Sequence, residues 1–335
     1  MLAIRVPLKK AQAVKEELME RQLLDKDHSL KKDHTYIYFP VKKRFQSPYT
    51  FKEVQGLSVH EKKSFEDSLR QMLTKAELQR LKTAYDIIGD IAILEVDREL
   101  RKKEKLIADL LLKFHKSIKT VLRKDGGHAG AFRTQQMAFL AGEDKRETVH
   151  KENSVQLLLD VEKVYFSPRL GTERLRIARQ VKPGEKILVM FSGCAPYPCV
   201  IGKLAQPKKI VAIEINPVGH TYAIENVMLN RLRNIQLING DVKKIVPALQ
   251  EKFDRILMPL PKSAEDFLDV ALACAKKGTI IHFYDFQKEE EFKKSVAKIE
   301  NACKIARKKC KILAIVKCGQ HAPYTFRVCV DFVVN

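Results

Sequence analysis

Residues 186–241 read KILVMFSGCAPYPCVIGKLAQPKKIVAIEINPVGHTYAIENVMLNRLRNIQLINGD. Apolar, β-branched runs (KILVMF, IVAIEI, IQLIN) alternate here with stretches of helical spacing. The first run opens into the small-residue turn SGCAPYP. The second ends in Glu214, about 20 residues beyond Gly193. At that spacing a doubly wound α/β sheet passes a tight turn under a nucleoside and offers a carboxylate to the ribose hydroxyls. The third run ends in Asn-Gly-Asp. Asp241 there either meets the base of the nucleoside, together with the Val242 backbone, or caps the helix that VKKIVPALQ forms. A pyrophosphate-binding turn requires G-x-G-x-x-G, and S-G-C-A-P-Y serves a dinucleotide poorly. The stretch predicts an enzyme with an adenosine-bearing cofactor.

The alternation continues through RILMPL, AEDFLDVALACA, GTIIHFYDF, EEFKKSVAKIENACKIA, CKILAIVKCG and TFRVCVDFVV, and the last two runs are joined by the short GQHAPY. A mostly parallel sheet ending in an antiparallel hairpin resembles the class I S-adenosylmethionine (AdoMet) methyltransferase fold. Upstream, residues 66–165 mix an amphipathic helix (FEDSLRQMLTKAELQRLKTAY), a basic helix (LRKKEKLIADLLLKFHKSI) and strands (DIIGDIAILEV, KTVLRK, MAFLAGE, VQLLLDVEKVYF). Between two of the strands lies KDGGHAGAFRTQQ, whose glycines permit close backbone approach. It is either a loop that presents Arg133 to a ligand or a flexible hairpin connection with an exposed arginine. The first 45 residues form a small α/β unit, LAIRVP and YIYFPV flanking the helical AQAVKEELMERQLL; residues 46–65 read as a linker. The expected division is 1–60 (recognition module and linker), 61–165 (middle α+β domain) and 166–335 (α/β domain).

Lys and Arg number 62 against 41 Asp and Glu, a formal net charge of +21. That excess points to a polyanionic partner. Basic clusters lie in VKKRF (basic residues 42–44), RKKEK (101–105) and RKKCK (307–311). Aromatic residues make up 7% of the chain and tryptophan is absent, which favours recognition of structured RNA by shape and phosphate over a base-stacking platform. The seven cysteines form no CxxC pair, so no metal site is expected. The charged start and the lack of long apolar runs predict a cytoplasmic protein with no membrane span. No obligatory protein partner is evident.

The runs MAFLAGEDKRETVHKENSVQLLLDVEKV, YFSPRLGTERLRIA, MFSGCAPY, AIEINP and RILMPLPKSAEDFLDVALACAKKGTIIHFYDF together resemble the archaeal–eukaryotic tRNA (guanine-37 N1)-methyltransferase family over roughly residues 85–335. The resemblance implies AdoMet as cofactor and tRNA as partner, the small N-terminal module touching the outer corner and the remainder the anticodon loop. Guanine N1 carries a proton, so its methylation needs a base, and charge building on O6 needs a cation. The resemblance assigns Glu173, in GTER, as the base and Arg133 as the O6-stabilising group. Read without it, Glu173 is a helix-start acid paired with Arg174 or Arg176. The resemblance also implies AdoMet contacts from Arg174, Gly193, Pro196, Tyr197, Glu214, Ile215, Asp241, Val242 and Pro259. His150 reads as a structural hydrogen-bonding residue.

Two positions depart from the family pattern. Ala195 stands where a second glycine is usual, and Pro259-Leu260-Pro261 stands where an NLP- or NPP-type motif is usual. Proline lacks the side-chain carbonyl that an asparagine offers the target nitrogen, and a looser pocket admits a tricyclic wyosine precursor at the same tRNA position as a second substrate, methylated on carbon. Two alternatives stand beside the main reading: aminocarboxypropyl transfer from AdoMet to that precursor, and a catalytically silent tRNA-binding protein.

Overall fold

The computed structural model describes residues 1–55, 64–80 and 85–335, in two compact units, Met1–Gln79 and Arg80–Asn335. The first begins with β1 (Leu2–Pro7), α1 (Ala11–Glu20), β2 (Lys31–Lys32), β3 (Tyr36–Pro40) and β4 (Thr50–Glu53), in an antiparallel sheet of order β2-β3-β1-β4. Val14 and Leu18 of α1 close over Ile4, Val6 and Phe39. The linker expected at 46–65 is corrected here: TFKE at 50–53 is the edge strand beside β1, in register Leu2↔Glu53, and Phe51 joins the core with its ring 5.2 Å from Phe45. Phe51 is the one inward residue of this four-residue strand and is only half-buried, too short a pattern to read as alternation. The expected boundary at 60/61 lies outside the described residues.

The amphipathic stretch at 65–85 forms α2 (Phe65–Met72) and α3 (Lys75–Arg80), and its residues 81–84 lie outside the described ones. Two capping boxes divide it. Ser64 Oγ accepts from Asp67 N at 3.0 Å while Asp67 accepts from Ser64 N, and Thr74 and Glu77 repeat the exchange.

The second unit opens with β5 (Asp86–Ile88), β6 (Ile91–Leu94), α4 (Glu104–Phe114), β7 (Thr120–Ala129) and β8 (Thr134–Gly142), in a sheet of order β5-β6-β7-β8. The hairpin β9 (Glu147–Glu152) and β10 (Val155–Asp160) leads into α5 (Gly171–Gln180). Then come β11 (Lys186–Met190), α6 (Pro196–Leu204), β12 (Lys209–Glu214), α7 (Pro217–Leu229), β13 (Ile235–Asn239), α8 (Val242–Leu249), β14 (Phe253–Met258), α9 (Leu268–Ala273), β15 (Ala275–Lys288), α10 (Phe292–Ile305), β16 (Cys310–Ala322) and β17 (Thr325–Val334). Their seven-stranded sheet has order β13-β12-β11-β14-β15-β17-β16, parallel through β15 and antiparallel at β17 and β16. This is the class I AdoMet methyltransferase arrangement expected above.

Ile187–Met190 of β11 and Ile210–Ile213 of β12 are almost wholly buried, because helices cover both faces of a parallel sheet. The strand order reverses between β11 and β14, the crevice where such sheets bind ligands. Asn226 of α7 and Asn230, just past its end, tie this sheet to β10. Asn226 accepts from Leu158 N at 2.6 Å and donates to the Leu158 and Cys194 carbonyls, and Asn230 brackets Gln156 in the same way. The Cys194 bond anchors the turn that follows β11. Among the described residues no helix is long and apolar enough to cross a membrane.

Candidate active site

The turn after β11 carries three left-handed residues, Phe191 (φ 59°), Gly193 (φ 56°) and Ala195 (φ 64°). Ala195 takes this conformation with a side chain, at a cost of about 1 kcal/mol. Pro196 opens α6 at its first position, where its missing N–H is no loss. Across the crevice, Glu214 ends β12. Its Oε2 accepts from Gly193 N at 2.6 Å and its Oε1 from Asn216 N at 2.8 Å. Burial pushes its carboxyl above the ordinary glutamate range, and these backbone donors pull it part of the way back. Each oxygen keeps a lone pair for a further donor. Beside it, Ser192 Oγ is buried without a hydrogen-bond partner, and Ile215 exposes its apolar side chain. A paired ribose hydroxyl on Glu214 and a polar ligand atom at Ser192 answer both features, so the crevice fits an adenosine. Val242 is buried in the core. Asp241 caps α8, accepting from Lys243 N at 2.9 Å. Pro259 follows β14 directly and is half-buried.

Glu173 lies in the first turn of α5, only 4% exposed. Arg176, one turn on, donates to both its oxygens, Nε to Oε2 at 2.7 Å and Nη2 to Oε1 at 2.8 Å. The same guanidinium donates to Asp331 of β17, with Nη1 to Oδ2 at 2.6 Å and Nη2 to Oδ1 at 3.3 Å. Tyr284 of β15 donates to Glu173 Oε1 at 2.7 Å and accepts from the Tyr197 hydroxyl at 3.0 Å. The cofactor-side turn is thus joined to Glu173 through two buried tyrosines. The pairing with Arg176 is the helix-start arrangement that the residues suggest by themselves.

A row of charges continues behind Asp331. His282 Nδ1 lies 2.6 Å from Asp331 Oδ1, and its Nε2 lies 2.7 Å from Arg255 Nη1. A guanidinium only donates, so Nε2 is the bare nitrogen and Nδ1–H donates to Asp331. Burial lowers the His282 pKa, in keeping with that neutral form. Arg255 ends the row on Glu185 at 2.8 Å. His282, Cys329 and Asp331 converge as metal ligands would, but Arg176 and Arg255 already supply two fixed positive charges there.

Arg133 follows the tip of the β7–β8 hairpin, at φ 53°. The glycine-rich stretch is therefore a hairpin connection, but its arginine is half-buried. Arg133 Nη2 donates to Ser263 Oγ at 3.4 Å, just past Pro259-Leu260-Pro261. It lines a cavity of 430 Å³ together with Tyr165, Phe166, Arg169, Cys318 and Arg327. Glu173 is not among the lining residues; the half-buried Cys318 stands between, its thiol pushed up by burial and then by the adjacent Glu173 carboxylate.

Residues 148–313 match the TRM5/TYW2 methyltransferase domain, 65–145 the TYW2 N-terminal domain and 3–49 the tRNA methyltransferase 5 N-terminal domain. The chain is 35% identical to tRNA (guanine(37)-N(1))-methyltransferase Trm5b of Pyrococcus abyssi, covering 100% of this chain and 99% of that protein. The chain belongs to the TRM5/TYW2 methyltransferase family. A solved complex of aTrm5 and tRNALeu superposes with a TM-score of 0.76 at 32% identity, covering 100% of both chains. The tRNA (guanine(37)-N(1))/4-demethylwyosine(37)-methyltransferase Taw22 of Nanoarchaeum equitans is 36% identical over 64% of this chain and 88% of its own length. Enzymes of the TRM5/TYW2 family use AdoMet.

Within this family member Arg174 is tied to the β9–β10 hairpin. It is fully buried, with Nε and Nη2 paired to Glu152 at 2.5 and 2.6 Å and Nη2 also on the Ser167 carbonyl. Its guanidinium lies 5.9 Å from the Tyr197 ring centre. His150 accepts from Gly89 N at 3.2 Å and packs edge-on to Phe166, a structural role. Sequence reasoning names Arg176 only as a partner of Glu173 and leaves out Tyr284, Asp331, Tyr165 and Arg327. For Tyr284 and Asp331 a signal exists: polar groups inside the apolar runs IIHFYDF and VCVDFVV.

Proposed function

We propose that this protein transfers the methyl group of AdoMet to N1 of guanosine 37 of tRNA, with Glu173 as general base and Arg133 stabilising O6. What supports the assignment is the hydrogen-bonded path Tyr197–Tyr284–Glu173 from the adenosine crevice to the one buried carboxylate of α5. Bound AdoMet supplies a methyl group on a cationic sulfur that leaves as a neutral thioether. Glu173 takes the N1 proton. To do so its carboxylate must give up Arg176, and Asp331, already bonded to that guanidinium through both oxygens, keeps the cation paired while Glu173 turns to the base. Tyr284 donates to Oε1 throughout and orients the carboxylate. Arg133, partly desolvated in its cavity, meets the charge that grows on O6 as N1 loses its proton. Extrusion of the guanine from the stacked anticodon loop is required for the base to reach this site.

A second activity on a tricyclic wyosine precursor at the same position is favoured by Pro259, which offers the target no side-chain amide, and by the similarity to Taw22. The small N-terminal module serves the outer corner of the tRNA, in the working division 1–60, 61–165 and 166–335, and the protein acts in the cytoplasm, where tRNA is processed.

The test is mass spectrometry of nucleosides from tRNA incubated with the protein and AdoMet. N1-methylguanosine is expected, and Glu173→Gln lowers its rate of formation about 10²–10⁴-fold with AdoMet affinity retained. A product heavier by an aminocarboxypropyl group, or full activity in Glu173→Gln, overturns the assignment. Parallel incubation of tRNA carrying the tricyclic precursor decides the second activity.

A further inference from the structure

Strands β16 and β17 pair as far as Ala322↔Thr325, so Pro323 and Tyr324 alone make the turn. Proline fixes φ near −65° at the first turn position. The second, Tyr324, has φ 60°. A turn of that form calls for glycine, or asparagine, at its second position. A bulky aromatic there is a backbone outlier, and such outliers persist where the side chain has a use. The Tyr324 side chain makes no core: it is 80% exposed.

The surroundings of this turn are those of a nucleotide clamp. His321, also exposed, stacks on Phe286 with ring centres 3.9 Å apart and planes 19° from parallel. The Arg327 guanidinium lies 5.4 Å from the same Phe286 ring. Arg327 Nη2 donates to the Tyr165 hydroxyl at 2.6 Å, while its Nε is buried without an acceptor. Gln320, His321 and Arg327 line the 430 Å³ cavity that holds Arg133. Exposed π-faces beside an arginine whose Nε lacks an acceptor are the components that grip unpaired nucleotides, by stacking and by phosphate contact.

We propose that the β16–β17 turn binds the unpaired nucleotide adjoining the target guanosine, its base stacked on Tyr324 and its phosphate on Arg327. This rests on the tRNA assignment above and adds a contact to it. The overall aromatic fraction conceals the platform, because its few rings are gathered from β15 and the β16–β17 hairpin.

The chain contains no tryptophan, so Tyr324→Trp installs a single reporter at an exposed site where folding is indifferent to ring size. Titration with unmodified tRNA, followed by filter binding and by indole fluorescence together, tests the proposal. Saturable quenching that tracks binding supports it. Binding with unchanged fluorescence overturns this contact and leaves the tRNA assignment standing, whereas no binding by wild-type protein overturns both. Tyr324→Ala is expected to lower kcat/KM for tRNA about 5- to 150-fold, a range set by the loss of one stacked base. Its AdoMet affinity, measured without tRNA, stays unmoved. Tyr324→Gly relieves the backbone and raises the melting temperature while weakening tRNA binding; a rise in stability with no loss of tRNA affinity overturns the proposal.

Discussion

At the scale of single residues, Glu214 and Glu173 show how one side chain acquires different chemistry from its neighbours. Glu214 takes its hydrogen bonds from backbone donors, Gly193, Ile215 and Asn216, and burial raises its pKa above 4.5. Under the assignment of Glu214 to the ribose, hydroxyls that donate to its ionised form give the bound state the lower pKa, and binding releases a proton between the two values. AdoMet affinity is therefore expected to rise as the pH climbs through the raised value of the free protein and to level off above it. In the ligand-free protein the same shift works the other way: the stability linked to Glu214 is full below 4.5 and is lost as pH rises through the raised value. Calorimetric titration in two buffers of different ionisation heat, run from pH 4.5 to neutrality, measures the proton; equal heats in both would refute the linkage. Glu214→Ala should weaken AdoMet on the order of 10- to 100-fold, the worth of hydrogen bonds to a charged group. Glu173 instead sits in the two-pronged grip of Arg176. Glu214 was legible because the turn and the acid lie in adjacent βα units of one pattern. Arg176's second partner was not, since Asp331 is 155 positions away and meets it only through the sheet.

At the scale of elements, the parallel strands were legible because burial on both faces demands unbroken apolar runs, and the turn residues between them fix the direction of each reversal. β4 was not, since an edge strand with one inward aromatic has too little pattern to stand out. The break between α2 and α3 was written in the two Ser/Thr-x-x-Asp/Glu boxes, but the apolar spacing runs straight across them. Helix α8 poses the open question of Asp241, whose carboxylate caps it. Asp241→Ala is expected to lose about 0.5–2 kcal/mol of stability. Asp241→Ser keeps a capping oxygen and should recover most of that in a thermal melt. If Asp241→Ser also binds AdoMet as tightly as the wild type, the residue is a cap alone; if it binds more weakly at restored stability, the carboxylate meets the cofactor as well.

At the scale of the whole molecule, the charge of +21 predicts that tRNA affinity falls about 10³–10⁵-fold between 50 and 200 mM salt for six to ten phosphate contacts. Filter binding across that range measures it, and a flat response would exclude a phosphate-led interface. The interior carries its own charge pattern, the row Glu173–Arg176–Asp331–His282–Arg255–Glu185 spanning α5, three strands and the loop before β11. Each member is neutralised or satisfied by the next, and removing one strands its neighbour in a low-dielectric interior. Such a row constrains ancestry as well as folding. A lineage can exchange these residues for apolar ones only by changing neighbours together, so across related chains they are expected to vary as a block, with few hybrids between the polar set and its replacement.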